Sequence, residues 1–241
     1  MSILTTNPYF RPLLWPTLFL IASLPILLWL GTWQLQRLEW KLTLTSQMEA
    51  RVDAPAIDIV GETPGAADEF RRYSVLGVFL AGEEFHWLTT SDTYGIGYLV
   101  FSPLELSDGR RVIVNRGYVP ASLKDVVEDR PGGAAAFEAI ARVPEQPGAL
   151  DATNDVAANI WFTRDTVAMA ESAGGDDYLP VYLELVGEVP EDVWPKPGAA
   201  RVRLVNNHLD YALTWYGLAV VLLVIYLVFH RSQGRLGRPL E

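Results

Sequence analysis

The side chains best placed for chemistry gather in NNHLDYALTWYGLA, residues 206–219. In helical numbering His208, Tyr211, Ala212, Trp215 and Ala219 share a face, because residues three and four apart are neighbours on a helix. That face joins an imidazole, two aromatic rings and two small residues. A flat macrocycle could lie against the small residues while His208 gives a ring nitrogen to its iron. The competing reading needs no ligand: His208 simply caps or flanks a helix at a membrane boundary. Spacing alone leaves both open. The other histidines are plainer. His86, in EFHWL, reads as a half-exposed strand residue, and His230, beside Arg231, as an interfacial anchor.

The segment runs into Tyr211–Phe229, which contains no charged residue. An earlier run, LLWPTLFLIASLPILLWL (13–30), lies in a stretch without charge between Arg11 and Arg37. At 1.5 Å per residue, about 20 residues span roughly 30 Å of hydrocarbon. Both runs are therefore expected to be membrane helices. The first is too long for the apolar part of a signal peptide, and GTWQLQRLEWK after it is bulky where a cleavage site needs small residues. Pro25 is expected to bend the first helix, since proline removes a backbone hydrogen bond.

The expected organisation is a short cytoplasmic tail (1–12), a first transmembrane helix (13–36), a β-rich extracytoplasmic domain (37–205), a second transmembrane helix (206–230) and a basic tail (231–241). Arg231, Arg235 and Arg238 set the orientation, because basic flanks stay on the cytoplasmic side. Residues 42–200 hold 11 basic and 26 acidic side chains, so an acidic domain faces the periplasm or its mitochondrial equivalent. The eleven-residue lead leaves no room for a transit peptide, and a bacterial inner membrane is the expected location.

Composition excludes other classes. The formal net charge of −10 argues against nucleic acid as a partner. With no cysteine there are no disulfides, thiolate zinc sites, iron–sulfur clusters or CxxCH haem attachment. GxSxG, HExxH, P-loop and GxGxxG motifs do not occur, and no pair of carboxylates stands out. Nothing in the residues argues for an enzyme.

The middle of the chain reads mostly as short strands: 72–79, 84–88, 98–101, 111–114, 137–143 and 181–185. Ser107–Gly109 reads as a hairpin turn, and GIG at 95–97 as a turn. One helix is expected over 164–172, capped by Thr163. Residues 66–68, 131–136, 174–177 and 195–200 look like loops. The fold class is a membrane protein with two transmembrane helices flanking an antiparallel barrel or sandwich-like α+β domain. Beyond the first span, Trp33, Gln34, Arg37, Trp40 and Lys41 form a cluster that is either an interfacial belt or part of a site.

Three motifs then occur in order: GTWQLQRLEWK (31–41), VNRGYVP (114–120) and NNHLDYALTWYGLA (206–219). FRRYSVLGVF (70–79) and NIWFTRDTVAMA (159–170) accompany them. Together they resemble the surfeit locus protein 1 family of cytochrome oxidase assembly factors, over nearly the whole chain. Tyr118 departs from the family's usual tryptophan, which is conservative.

The resemblance implies transient, non-covalent handling of haem a for the large subunit of a haem–copper oxidase. The haem a synthesis enzyme and membrane lipid would be further partners. It implies that His208 is the axial iron ligand, with Tyr211 and Trp215 beside it. Trp33 and Trp40 could form an opposing wall, and Arg37, Lys41, Arg201 or Arg203 could pair with haem propionates. Asn115, Arg116, Gly117 and Tyr118 are read first as a tight turn after a buried strand, with docking to the oxidase as the alternative. A haem-independent scaffold that clamps an oxidase intermediate is the competing function. An enzyme acting on haem or lipid has no recognisable residue set.

Overall fold

The computed structural model describes residues 11–124, 132–175, 177–198 and 206–237. The chain divides into two compact units, one of residues 1–46 with 204–241 and one of residues 47–203.

The first unit contains α3 (His208–Ser232) and most of α1 (Leu14–Val52). Both helices are long and apolar enough to cross a membrane. α1 runs through Pro25 without interruption and continues well past the apolar run. The helices pack antiparallel. Thr17 Oγ1 and Tyr226 Oη lie 2.8 Å apart, and Thr32 Oγ1 and Tyr216 Oη 3.0 Å apart. Ala212, Ala219 and Tyr226, spaced by seven, are buried on α3, and Gly31 is buried on α1. A seven-residue stripe of this kind is the seam of a left-handed helix pair, and small residues on it let the backbones approach.

His230 is fully buried rather than an interfacial anchor. The Leu13 N–H donates to its Nε2 at 3.0 Å, so the ring proton sits on Nδ1, which donates to the Tyr226 carbonyl at 2.9 Å. The imidazole is thus a neutral strap between the start of α1 and the end of α3.

The second unit is built on β1 (Ile57–Asp58), β2 (Arg72–Phe79), β3 (Phe85–Ser91), β4 (Gly95–Leu106), β5 (Arg111–Pro120), β6 (Gly133–Arg142) and β7 (Tyr178–Val186). The order is β1-β2-β6-β7-β5-β4-β3, and β2 also pairs with β4. β2, β6, β7, β5 and β4 therefore close into a barrel. Gly77 permits the closure, because a Cβ there would stand 2.5 Å from the Glu105 carbonyl oxygen. The sheet is mixed rather than wholly antiparallel: β1–β2 and β5–β7 are parallel. β7 inserts between β5 and β6, which run in opposite directions, so it must run parallel to one of them.

Alternation sorts the side chains. Tyr73, Val75, Leu104, Leu106, Val112, Val114, Ala139 and Leu183 form one core cluster. Phe85, Phe101, Ile113, Tyr118, Trp161, Met169 and Tyr182 form a second, which includes residues of α2 (Thr166–Ser172). α2 starts two residues later than expected. Asp165, not Thr163, is its cap, accepting from the Ala168 N–H at 3.0 Å. Residues 133–136, expected as loop, open β6, and residues 66–68 form a short 3-10 turn. The GIG segment starts β4, and the turn lies just before it, at 92–94. His86 is buried rather than half-exposed. Its Nδ1 lies 2.9 Å from Asn159 Nδ2, which also donates to the Glu84 carbonyl at 2.7 Å.

Candidate functional site

The candidate ligand opens α3. Asn207 is the cap residue, and the Asn206 side chain accepts from the His208 N–H at 3.4 Å. This polar lead meets an uncharged span, which places His208 at the junction of the two. The half-buried imidazole points its Nδ1 at Gln34 Oε1 of α1, 2.8 Å away. Nε2 takes no hydrogen bond among the described residues.

Two turns further along the same stripe, the Trp215 indole Nε1 is buried without a hydrogen-bond acceptor among the described residues. An orphaned buried donor is uncommon and costs roughly 1–3 kcal/mol. Ala212 and Ala219 lie between and beyond these two side chains, and both are buried. The small residues on the His208 face therefore serve helix packing and do not form an open platform.

The two flanks of the seam differ. Tyr216 meets Gly31 and Thr32 on one side. At about 100° per residue, Tyr211 and Arg37 fall on the other side, with His208 and Gln34. Tyr211 is exposed, as is Arg37, whose guanidinium stacks over the Trp40 ring at 4.8 Å. Trp33 and Trp40 are 41% and 56% exposed. They stand about half a turn away from Gly31 around the α1 axis, so they back away from α3 instead of facing it. Of the expected cofactor residues, then, His208, Tyr211, Trp215 and Arg37 come to one flank, and Trp33 and Trp40 do not. Lys41 lies one turn beyond Arg37 and is half-buried. Arg201 and Arg203 lie outside the described residues.

The NRGYVP motif belongs to the second unit. It is not a turn but a bulge within β5. Val100 faces Gly117 and Phe101 faces Asn115, so Arg116 is the extra residue. The Gly117 N–H donates to Asn115 Oδ1 at 3.0 Å, and Gly117 takes φ +126°. The extra residue reverses the alternation, which puts Tyr118 in the same cluster as Ile113 and Phe101. Tyr118 exchanges backbone hydrogen bonds with Lys196, at 2.9 and 2.8 Å, and its Oη donates to the Gly95 carbonyl at 2.8 Å. Asn115, Gly117 and Tyr118 are buried. Arg116 is half-buried, 3.6 Å from Glu84 and stacked on Phe79 at 4.5 Å. Burial pulls its pKa down, and the Glu84 carboxylate pushes it back up.

Gln34 was not singled out as a site residue from sequence, nor were Thr32 and Tyr216 as the helix-packing contact beside it. Gln34 was visible only as a member of the cluster after the first span. Its partner is 174 residues away, and no spacing rule connects them.

A family model described as the SURF1 family matches residues 21–220. The chain is 34% identical over 211 residues to surfeit locus protein 1 of Xenopus tropicalis, spanning 78% of this chain and 67% of that protein. It is 30% identical over 225 residues to surfeit locus protein 1 of Mus musculus, spanning 86% and 72%. Over 211 residues it is 30% identical to surfeit locus protein 1 of Homo sapiens, spanning 79% and 69%. The chain therefore belongs to the SURF1 family, known as oxidase assembly factors.

Proposed function

We propose that this protein carries haem a as cargo and aids its insertion into the large subunit of a haem–copper cytochrome oxidase. The observation that carries the proposal is the state of His208. One ring nitrogen is held by Gln34, and the other takes no hydrogen bond among the described residues, at the junction of polar lead and apolar span. That is the arrangement an axial imidazole needs.

The surrounding residues suit an amphipathic macrocycle. Arg37 lies toward the polar end of the flank and could pair with propionates, which a guanidinium binds in bidentate fashion. Tyr211 and Trp215 lie toward the apolar end. The Trp215 N–H, which has no acceptor among the described residues, would find one at the edge of the macrocycle. Trp33 and Trp40 have no part in this arrangement, apart from Trp40 supporting the Arg37 guanidinium.

A carrier must bind and then release. One histidine with an open second axial position suits that better than two ligands. The oxidase large subunit and the haem a synthesis enzyme are the proposed partners, and the role is a non-catalytic one. We place the protein in a bacterial inner membrane with both termini cytoplasmic, supported by Arg231 and Arg235 after α3.

The test is an absorption spectrum of protein purified from cells that make haem a, wild type beside His208→Ala. A haem a spectrum that is lost or displaced in the variant is the expected result. Equal haem content and identical spectra would move the ligand elsewhere. Haem in neither protein would favour a haem-independent scaffold.

A further inference from the structure

The structure assigns Gln34 as the residue that positions His208, by fixing which ring nitrogen carries the proton. The assignment of purpose rests on the haem reading above; the hydrogen bond does not. Gln34 presents its Oε1 to His208 Nδ1 at 2.8 Å. An amide oxygen can only accept, so Nδ1 must donate. In the neutral imidazole the proton is then on Nδ1, and Nε2 keeps its lone pair free. In water a neutral imidazole populates both tautomers; here the first helix selects the one that leaves Nε2 free to bind iron. Metal-bound histidines commonly have an acceptor behind the far nitrogen that sets tautomer and ring orientation.

The kind of acceptor matters as well. A carboxylate behind the ring would draw the proton strongly and make Nε2 a more basic ligand. A neutral amide does so weakly. Gln34 therefore orients the ligand without raising its basicity far, which favours a cargo that is to be given up. Since Gln34 belongs to α1 and His208 to α3, the competent tautomer also depends on the register of the helix pair. Gly31, one turn away on α1, sets the close approach that keeps Gln34 within reach.

The experiment has an arm without haem and an arm with it. In the first, the full-length protein with 15N-labelled histidine is examined by NMR in lipid nanodiscs. Wild type is expected to show His208 as a single tautomer protonated on Nδ1, and Gln34→Leu a mixture of the two. An Nε2-protonated wild type, or an unchanged tautomer in Gln34→Leu, would overturn the assignment.

In the second arm, haem a retention and the midpoint potential of the bound haem are measured. Gln34→Leu is expected to weaken retention by roughly 10–100-fold. Gln34→Glu is expected to retain haem and lower the potential, since a carboxylate raises ligand basicity. Thr32→Val removes the neighbouring bond to Tyr216 without touching His208, and should leave tautomer and retention unchanged. If it weakens haem as much as Gln34→Leu does, the effect is packing and the positioning role is wrong. Gln34→Glu at an unshifted potential also overturns it, which keeps the test decisive if Gln34→Leu misfolds. A wild type that holds no haem, with the tautomer still released in Gln34→Leu, sinks the haem reading and leaves the Gln34–His208 coupling standing.

Discussion

Gly31 of α1 and Tyr216 of α3 meet so closely that a Cβ on Gly31 would stand 2.8 Å from the phenol ring. The glycine is what lets Tyr216 reach Thr32, and what brings the two helices together one turn from the Gln34–His208 bond.

Gly31→Val should therefore force the helices apart. We expect it to break the Thr32–Tyr216 bond and to destabilise the pair by about 1–3 kcal/mol, the usual cost of overpacking. Haem retention should fall with it, because Gln34 is drawn away from His208. Thermal unfolding in detergent, beside haem content, checks both. An unshifted midpoint would show that the seam tolerates a wider spacing.

Gly117 carries a comparable constraint in the β-rich unit. It sits at φ +126°, and a Cβ there would clash with the Lys196–Pro197 backbone. Gly117→Ala should break the paired hydrogen bonds between Tyr118 and Lys196. Strain in that region costs on the order of 1–3 kcal/mol, and displacing the neighbour adds to it. A drop of roughly 5–10 °C in the unfolding midpoint is expected, at about 2–4 °C per kcal/mol for a chain of this size. Asn115→Ala, which removes only the side-chain acceptor for the Gly117 N–H, should cost less.

Acid should weaken the same unit in a defined window. The Gly65 N–H, donating to Asp68 Oδ2 at 3.0 Å, is the main cause that holds the Asp68 pKa below its ordinary value, and Arg71 adds to it. Asp108 is lowered chiefly by hydrogen bonding from Arg110. For a carboxylate lowered on folding, the stabilisation is complete above the unfolded pKa of about 4 and disappears as pH falls through the folded value. Stability should thus be level near neutrality and decline below about pH 4. Urea midpoints at pH 6 and pH 3, read by near-ultraviolet circular dichroism, should differ less in Asp68→Ala than in wild type. An equal gap in both would remove Asp68 from the account.

Much of this was readable from residue order. β2 occupies the residues expected for it, Arg72–Phe79, because β-branched and aromatic side chains favour a strand. The two apolar helices were readable from the length of their uncharged runs, and the stripe containing His208 from helical spacing. Less readable was whatever depends on a distant partner. NRGYVP reads as a turn because asparagine and glycine are turn residues, yet the bulge is stabilised by Lys196, about eighty residues on. Trp33 and Trp40 read as a wall because face arithmetic treats one helix at a time. Only the position of α3 shows that they point away from it. Gln34 was passed over because a glutamine near a membrane boundary has many uses, and its partner alone identifies this one.

The hydrogen bonds along the α1–α3 seam also act as a check on assembly. Leu13 with His230, Thr17 with Tyr226, Thr32 with Tyr216 and Gln34 with His208 are all pairings between uncharged groups. None asks the bilayer to bury an ion. Each does require one vertical alignment of the two spans. A pair that slid by one turn would strand these donors and acceptors where little water can replace the lost partner. Each mismatch is modest by itself, averaging about 0.6 kcal/mol in membranes, but they fail together. The seam therefore proofreads its own alignment, and the alignment it accepts is the one that turns His208 toward Gln34.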